Sequence, residues 1–480
     1  MIVTPGKKIP PPNRNSPSMR TTLPCLLLSC TLLQASPTRP AVGPFRIEEN
    51  WTLLRQSDLK TQPLDAIKYI PLGRGGDSPL SLTLGGEFRH RYERYTNDAW
   101  GRLPEDKDGY HLTRFMVFGD LRYDTFVRSF VELKSNNLAG KSGPPKPPDV
   151  DTFDLHQAFL EFHLPTSSPS FKSLLRIGRQ ELNYGSARLV TFRDGPNTRQ
   201  SFDTALARVV WRTWKVDAFF ARPAETDRGV FDDQTNTQQS VYGLYAVAPL
   251  SFMKGTSVDL YFLGFDRDNA RFVSGTAEED RYSLGARLAG RRDALDFNFE
   301  AVLQWGRFGN QRIRAWTVAS DTGYTWKDAA TAPRAYLRAN AISGDSNPQD
   351  RRLGTFNPLY PRGSYFGDIG LLGPANLLNL HPGIQGKLGK SWAYNVDAVW
   401  FWRDSIRDGI YGPSGSLQFT PPAGVSRFLG TQLDLGLTWT YSPYLSVEFT
   451  AAKFLASDRF EEQSGAENVD YLSLLTRFRF

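Results

Sequence analysis

The last ten residues, Tyr471-Leu-Ser-Leu-Leu-Thr-Arg-Phe-Arg-Phe480, decide the fold. They alternate with a period of two, which is the signature of a β-strand. One face carries Leu472, Leu474, Thr476, Phe478 and Phe480, and the other carries Ser473, Leu475, Arg477 and Arg479. A strand with one aromatic, aliphatic face and one arginine face suits a wall between lipid and water. An ordinary sheet strand is the alternative, and the rest of the chain must decide between them.

Composition excludes a helical membrane protein. The 480 residues are 40% hydrophobic and 22% charged, with a mean hydropathy of −0.41. After the N-terminal leader, no apolar run reaches the roughly eighteen residues that a spanning helix needs. A membrane barrel is compatible with this polarity, because only alternate residues face lipid. The 13% aromatic content fits aromatic girdles, although it also fits a large soluble β protein.

The chain is basic, with a formal charge of +7 and an isoelectric point of about 9.2. Such a balance is compatible with nucleic acid, anionic lipid or an anionic substrate. The basic residues are spread singly along the predicted strands rather than in runs. This distribution argues against a nucleic-acid partner and favours a basic surface built from many strands.

The N-terminal 36 residues are predicted to be a leader. Met19-Arg20, the apolar stretch 23–33 and the small residues Ala35-Ser36 form a secretory signal pattern, with Met19 as an alternative start. The two cysteines, Cys25 and Cys30, lie in this leader. Plain secretion is preferred over lipidation at Cys30. Residues 37–79 are predicted to be a periplasmic lead-in, and residues 80–480 the body of the protein.

From residue 80 onward the pattern is strand, turn, strand. In the stretch 82–95, Glu87, Arg89, Arg91 and Glu93 share one face, whereas Gly86, Phe88, His90 and Tyr92 share the other. Comparable stretches continue to Phe480 and predict an all-β, transmembrane antiparallel barrel of about eighteen strands. An even number returns the last strand to the side where the first begins.

The connections are predicted to alternate between long and short, as in transmembrane barrels with long outer loops and short periplasmic turns. The long ones are 95–110, 137–150, 182–202, 223–239, 267–279, 343–376, 404–425 and 455–466. The short ones include 123–125, 212–214, 290–292, 389–391 and 442–443.

Several stretches resemble the alginate export porin family of bacterial outer-membrane proteins. The most specific are Arg176-Ile-Gly-Arg-Gln-Glu-Leu-Asn-Tyr-Gly185 and Arg193-Asp-Gly-Pro-Asn-Thr-Arg-Gln-Ser-Phe-Asp203. Leu84-Gly-Gly-Glu-Phe-Arg-His-Arg-Tyr-Glu93, Leu155-His-Gln-Ala-Phe-Leu160 and Thr355-Phe-Asn-Pro-Leu-Tyr-Pro361 also match. The resemblance spans residues 45–480.

The resemblance implies a monomeric, eighteen-stranded barrel in a Gram-negative-type outer membrane, in contact with its lipid. Such a barrel passes an anionic polysaccharide outward through an arginine-rich lumen, and alginate-type export is the expected cargo class. Uptake of anions or oligosaccharides is the alternative within the porin class. A final strand that ends in Phe480 resembles the closing strand of these barrels, which the barrel-assembly machinery recognises.

Arginine suits a uronate polymer, because its guanidinium grips a carboxylate through two parallel hydrogen bonds. Arg176 and Arg179 have opposite parity, and Arg179 is preferred because it lies in the family-like Gly-Arg-Gln-Glu stretch. The arginines expected to line the pore are Arg89, Arg91, Arg114, Arg122, Arg179, Arg208, Arg212, Arg334, Arg338, Arg477 and Arg479. The acids expected to pair with some of them are Glu87, Glu93, Asp120 and Glu181. A structural salt-bridge lattice is the alternative role for any one arginine.

The segment 343–376 exceeds thirty residues without clear periodicity, and loops of this length are usually functional or disordered. Its aromatic content argues against disorder. It is expected to fold over or into the mouth of the barrel as a gate, with an ordered surface loop as the alternative.

A barrel enzyme that acts on lipid at the rim is the hypothesis from a different class. Catalysis needs a nucleophile with a base, and no Gly-x-Ser-x-Gly motif occurs near His90 or His111. The five histidines, which also include His156, His163 and His381, are expected at girdle or rim positions. No metal-ligand spacing or phosphate-binding loop is found, so we expect no enzyme activity, no metal and no cofactor.

Overall fold

The computed structural model describes residues 39–73, 78–420 and 425–480. The predicted leader, with Cys25 and Cys30, lies outside these residues. Eighteen antiparallel strands form one closed barrel, as the sequence predicts. The strands are β1 (Leu80–Thr96), β2 (Tyr110–Tyr123), β3 (Val127–Ala139), β4 (Asp151–Leu164), β5 (Phe171–Gln180), β6 (Phe202–Trp211), β7 (Trp214–Pro223), β8 (Gln239–Pro249), β9 (Thr256–Phe272), β10 (Gly275–Arg292), β11 (Leu295–Phe308), β12 (Gln311–Thr325), β13 (Arg334–Ile342), β14 (Leu377–Leu388), β15 (Trp392–Trp402), β16 (Phe428–Thr440), β17 (Leu445–Ala456) and β18 (Val469–Arg479).

The barrel closes where β18 pairs with β1. The pairing register brings Arg477 opposite Arg89 and Phe478 opposite Phe88. The parity predicted for both strands is confirmed, since Arg89 is buried inside whereas Phe88 is 44% exposed on the outer surface.

The outer surface carries an apolar band. Outward residues such as Ile177, Leu303 and Val318 are at least half exposed, at 50%, 61% and 52%. Exposed apolar surface on this scale marks contact with a membrane. Trp211, Trp326 and Trp392 lie exposed near the short turns, where aromatic residues meet the membrane interface. No helix among the described residues is long and apolar enough to span a membrane.

The predicted alternation of long and short connections has two exceptions, both on the outer side. β11 ends at Phe308 and β12 begins at Gln311, so this outer connection is a tight turn. Residues 267–279 were expected to form a long loop, but β9 runs to Phe272 and β10 begins at Gly275. The two strands pair up to Phe272 opposite Gly275 after a bulge between Arg267 and Ala270. This connection is therefore a tight hairpin, because the strands extend beyond the periodic apolar pattern.

The remaining elements are short. Among the described residues, one helix, α1 (Asp458–Ser464), and one left-handed turn, Asp98–Gly101, with positive φ at Ala99 and Trp100, lie in outer connections. Four 3₁₀ turns lie in the lead-in, at Arg46–Glu48, Thr52–Arg55, Ser57–Leu59 and Pro63–Ile67. The short strand Arg352–Leu353 pairs with β12, and Ile410–Tyr411 pairs with Leu417–Phe419.

The lead-in enters the barrel. Ile47 packs with Phe118, Phe130 and Phe159, which all point into the lumen, and Phe45 packs against this group. The segment predicted to be a periplasmic lead-in thus partly fills the short-turn end of the barrel on the side of the seam between β1 and β18.

The lead-in also covers the part of β1 that β18 leaves unpaired. The last residue of the seam, Phe480, pairs with Gly86 through two backbone hydrogen bonds. Beyond it, the short strand Ile70–Pro71 pairs with Leu82 and Ser81. Arg46 Nη1 donates to Gly86 O at 2.8 Å and its Nη2 donates to Phe480 O at 2.7 Å. An exposed sheet edge invites wrong pairing, and here the lead-in covers it.

Candidate functional site

Two long outer connections fold into the lumen. We call residues 181–201 loop A and residues 343–376 loop B. Their backbones bond each other, with Thr191 N donating to Tyr360 O at 3.1 Å and Tyr360 N donating to Leu189 O at 2.8 Å. Val190 and Phe356 are buried in the large apolar cluster that fills this level of the barrel. The predicted inward position of loop B is therefore observed, and loop A shares it.

A cluster of charges joins loop A to the seam. We call it the seam cluster; its members are Glu87, Arg114, Asp194, Arg199, Arg477 and Arg479. Arg114 Nη2 lies 2.6 Å from both Glu87 Oε1 and Asp194 Oδ1. Arg479 lies 2.6 Å from Glu87 and 3.4 Å from Asp194. Four of the residues predicted to line the pore thus lie together here. They form ion pairs within the cluster and do not face an open channel.

Arg89 anchors loop A directly. Its guanidinium donates to the carbonyls of Asp194, Gly195 and Pro196 at 2.8 to 3.2 Å, and to Asn197 Oδ1 at 3.2 Å. The side chain is fully buried. Arg89 is inside the barrel, as predicted, but it holds a loop instead of facing open solution.

Most other predicted arginines also point inward and are paired. Arg122 lies 2.9 Å from Asp120, and Arg91 lies 3.1 Å from Glu93. Arg208 lies 2.7 Å from Asp217. On the opposite wall, Arg334 and Arg338 share Asp321, at 2.8 and 3.0 Å. For these residues the salt-bridge lattice is what the structure shows.

Two arginines that were predicted to line the pore do not face the lumen. Arg179 lies on the outward face, because its register partner is Asp203 and its strand neighbour Ile177 is 50% exposed to the outside. It binds Asp203 at 2.9 Å, and Arg176 is the inward arginine of this strand, bonded to Glu161. Arg212 lies in the β6–β7 turn with φ of 53° and its guanidinium over the Trp211 ring.

Two acids of loop A, Asp194 and Glu181, have shifted pKa values. Burial acts to raise the pKa of Asp194, but the Arg199 and Arg114 guanidiniums hold it well below its usual range. Burial raises the pKa of Glu181 to about 8, against the pull of Arg199. Glu181 is buried beside His156, at 2.9 Å. The predicted pore acid Glu181 is therefore enclosed at the root of loop A.

The predicted rim position is wrong for two of the five histidines. His156 and His381 are buried inside the barrel, bonded to Glu181 and Asp397 at 2.9 and 2.8 Å. His90 and His111 do lie together on the outer face, at 3.1 Å.

A cavity of about 330 Å³ remains between loop B and the wall formed by β11 to β17. Its cationic side chains are Arg188, Arg338 and Arg362; its acids are Asp321, Asp368, Asp397 and Asp434; Tyr336 and Tyr365 add aromatic rings. This is a polar chamber with both signs of charge, in which Arg338 lies over the Tyr336 ring and Arg188 over the Tyr365 ring.

Arg362 is the distinctive residue of the chamber. It is exposed within loop B, and among the described residues no carboxylate forms an ion pair with it. Burial and the neighbouring Arg338 lower its pKa, while Asp368 acts in the opposite direction. Arg338 beside it is 36% exposed despite its bond to Asp321. The two guanidiniums offer donors to an anion inside the barrel.

Sequence reasoning missed Arg362, Arg188 and Asp194, because strand parity says nothing about irregular segments. The quoted stretch Arg193–Asp203 contains Asp194, and the stretch Thr355–Pro361 directly precedes Arg362. The family-like motifs thus marked the inward loops, although the parity argument looked for the site on the strands.

The comparisons with known proteins agree with this architecture. The sequence model of a family described as "Alginate export" matches residues 80–472. Among solved structures, Pseudomonas aeruginosa OpdK with vanillate superposes with a TM-score of 0.57 at 13% identity, covering 83% of this chain and 98% of that one. Pseudomonas aeruginosa OccK3 (OpdO) gives 0.54 at 11% identity, covering 83% and 95%. These likenesses show a shared fold. No curated protein sequence matches the chain.

Proposed function

Because this chain belongs to the alginate export family of outer-membrane porins, we propose that it passes acidic saccharides through the chamber beside loop B. The observation that carries the proposal is Arg362, a guanidinium that faces the chamber without a carboxylate partner among the described residues. A solute carboxylate is the natural partner for such a group.

The rest of the chamber favours a sugar over a simple anion. Asp368, Asp397 and Asp434 offer acceptors for sugar hydroxyls. Tyr365, with the Arg188 guanidinium over its ring, also lines the chamber. A uronate unit carries both kinds of group, one carboxylate and several hydroxyls. The mixed charge also keeps any one site from holding too tightly, which conduction requires.

Export is the direction proposed, in line with the family, and uptake of the same solutes is the alternative. We further propose that the chain acts as a monomer in the outer membrane, that Phe480 is recognised by the barrel-assembly machinery, and that it is a channel without catalytic activity. Among the described residues, the His90 and His111 rings contact each other and the Tyr92 ring contacts His111.

Ion current through the protein in planar bilayers tests the proposal. Oligomers of alginate or polygalacturonate should block the current, and a neutral glucan of equal length should not. Arg362→Ala should weaken the uronate block roughly tenfold, since it removes hydrogen bonds to a charged group. Arg212→Ala, in a turn outside the lumen, is the matched control and should leave the block unchanged. Equal block by the neutral glucan would overturn the proposal.

A further inference from the structure

A β-bulge in the barrel wall turns a histidine inward behind loop A. In the pairing of β3 with β4, Glu132 lies opposite Gln157 and Leu133 lies opposite Leu155, so His156 is the extra residue. His156 and Gln157 are consecutive, yet both are fully buried. Bulges of this kind re-aim side chains and occur next to functional sites.

The bulge assembles three metal-ligating side chains from three elements. Glu132 comes from β3, His156 from β4 and Glu181 from the root of loop A. One donor atom of each lies within 4.8 Å of the others. Their exposures are 1%, 0% and 1%, so the group is enclosed.

Two atoms of the group lack hydrogen-bond partners among the described residues. They are His156 Nδ1 and Glu181 Oε2, both buried. Leaving a buried donor or acceptor unsatisfied costs about 1–3 kcal/mol. His156 Nε2 already meets Glu181 Oε1 at 2.9 Å, and Arg199 Nη1 approaches the same oxygen at 3.5 Å. Glu181 Oε2 is thus a buried carboxylate oxygen with unmet capacity in the enclosed group that also holds Glu132 and His156, which points to a missing ligand.

Gln157 holds the Glu132 carboxylate and the backbone of Glu181 in place. Its Nε2 donates to Glu132 Oε2 at 2.7 Å, and its Oε1 accepts from Glu181 N at 2.9 Å. Metal sites typically have such outer partners, which orient the ligands.

We propose that Glu132, His156 and Glu181 bind one divalent transition-metal ion, with Zn²⁺ as the type. One imidazole nitrogen and two carboxylates suit Zn²⁺, whereas Ca²⁺ and Mg²⁺ take oxygen ligands. The ion replaces the proton held between His156 and Glu181, and that proton leaves to solvent. Because the ligands join β3 and β4 to loop A, the ion pins the root of the loop to the barrel wall.

Native mass spectrometry of the purified, EDTA-treated protein titrated with Zn²⁺ tests the site. One tightly bound ion per chain is expected, with Mg²⁺ failing to compete. His156→Gln should abolish this binding. His163→Gln is the matched control, because His163 lies on the same strand, bonded to Glu161 at 2.8 Å, with a half-exposed ring. Its binding should equal that of the unmodified protein.

Two further measurements keep the proposal testable if His156→Gln fails to fold. Gln157→Ala should weaken Zn²⁺ binding about 10- to 100-fold, as loss of outer partners does. Co²⁺ bound to the unmodified protein should show the visible absorption of a low-coordinate nitrogen and oxygen site. Absence of a stoichiometric ion, equal binding by His156→Gln, or an octahedral Co²⁺ spectrum would each overturn the proposal.

Discussion

Glu87 shows what single residues do in this lumen. Four arginines, Arg114, Arg199, Arg477 and Arg479, lie within 4.0 Å of its carboxylate. The Glu87 carboxylate therefore joins β1 to β2, β18 and loop A. Its role is structural, and it does not serve as a binding site for solute. Removing one partner of a buried ion pair leaves the other charges uncompensated, which is strongly destabilising.

Glu87→Gln should therefore lower the free energy of unfolding by about 3–5 kcal/mol, measured by urea unfolding of the protein in lipid vesicles. Asp470→Asn is the control. Its pair with Lys453 is about half exposed on both sides, and such pairs contribute at most about 1 kcal/mol. A smaller effect for Glu87→Gln than for Asp470→Asn would contradict the role given to the cluster.

Gly178 is a second residue whose role is structural. Its φ is +130°, and a Cβ at this position would lie 2.2 Å from the carbonyl oxygen of Ala158 on the paired strand. Gly178→Ala should cost about 1–3 kcal/mol of stability from backbone strain alone. Gly119→Ala, whose Cβ would meet nothing closer than 3.7 Å, should be tolerated in the same unfolding assay. Equal stability of the two variants would refute the close approach.

The inward or outward direction of a strand residue could be predicted where apolar and polar residues alternate without interruption. Arg89, Arg114 and Arg477 were placed correctly because Phe88, Phe115 and Phe478 fixed the lipid face. Arg179 was misplaced, because parity places only one of Arg176 and Arg179 inside and the family-like motif favoured the one that lies outside. Arg212 was misplaced because it closes a two-residue turn, where parity no longer defines a face.

At the level of elements, the strands were predictable and the inward loops were not. Loops A and B lack periodicity, so their path depends on tertiary contacts such as Thr191 with Tyr360 and Arg89 with the loop A carbonyls. Only the aromatic content of loop B indicated that it would be ordered. The connection 403–427 also holds loop B in place. Its Asp408 Oδ2 accepts hydrogen bonds from Asp345 N at 2.8 Å and from Thr355 Oγ1 at 2.6 Å.

Docking of loop B should depend on pH through Asp345. Burial and the neighbouring Asp408 raise its pKa to about 6, above the usual value near 4. A raised pKa of an acid means that docking favours the protonated form. This stabilisation is complete below about pH 4 and is lost as the pH rises through about 6.

Asp345→Asn mimics the protonated form. It should slow hydrogen exchange of residues 343–376 at pH 7, and the difference from the unmodified protein should shrink towards pH 4. Comparison of the two proteins at each pH removes the intrinsic pH dependence of exchange. Asp328→Asn, exposed in a turn at the other end of the barrel, should show no difference at either pH. Faster exchange in Asp345→Asn at pH 7 would reverse the argument.

The whole molecule is a barrel with one part of its lumen filled and a chamber in another part. The lead-in, the seam cluster and most of loop A occupy the filled part. Loop B, β11 to β17, and Ser186 and Arg188 of loop A bound the chamber. The strand number and closure were predictable from the even alternation of the chain. The filling of one part was not, because it is made by residues 39–72 and by loops outside any strand pattern.

Releasing the lead-in should widen the path for ions. Arg46→Ala removes two hydrogen bonds to backbone carbonyls and leaves Glu49 without the guanidinium that it binds at 2.6 Å. Single-channel conductance should rise, because Phe45 and Ile47 then leave the lumen more often. Glu48→Gln, an exposed neighbour, should conduct like the unmodified protein. Unchanged conductance in Arg46→Ala would show that the lead-in does not restrict the path.

The hydrogen bond from Arg46 to Phe480 also has a consequence for the order in which the barrel assembles. The two residues are 434 positions apart, and the second acceptor, on Gly86, belongs to the first strand. The two hydrogen bonds cannot both exist until the last strand has arrived beside the first. Formation of the bond from Arg46 to Phe480 is therefore a late step of assembly, and it reports that the barrel is closed.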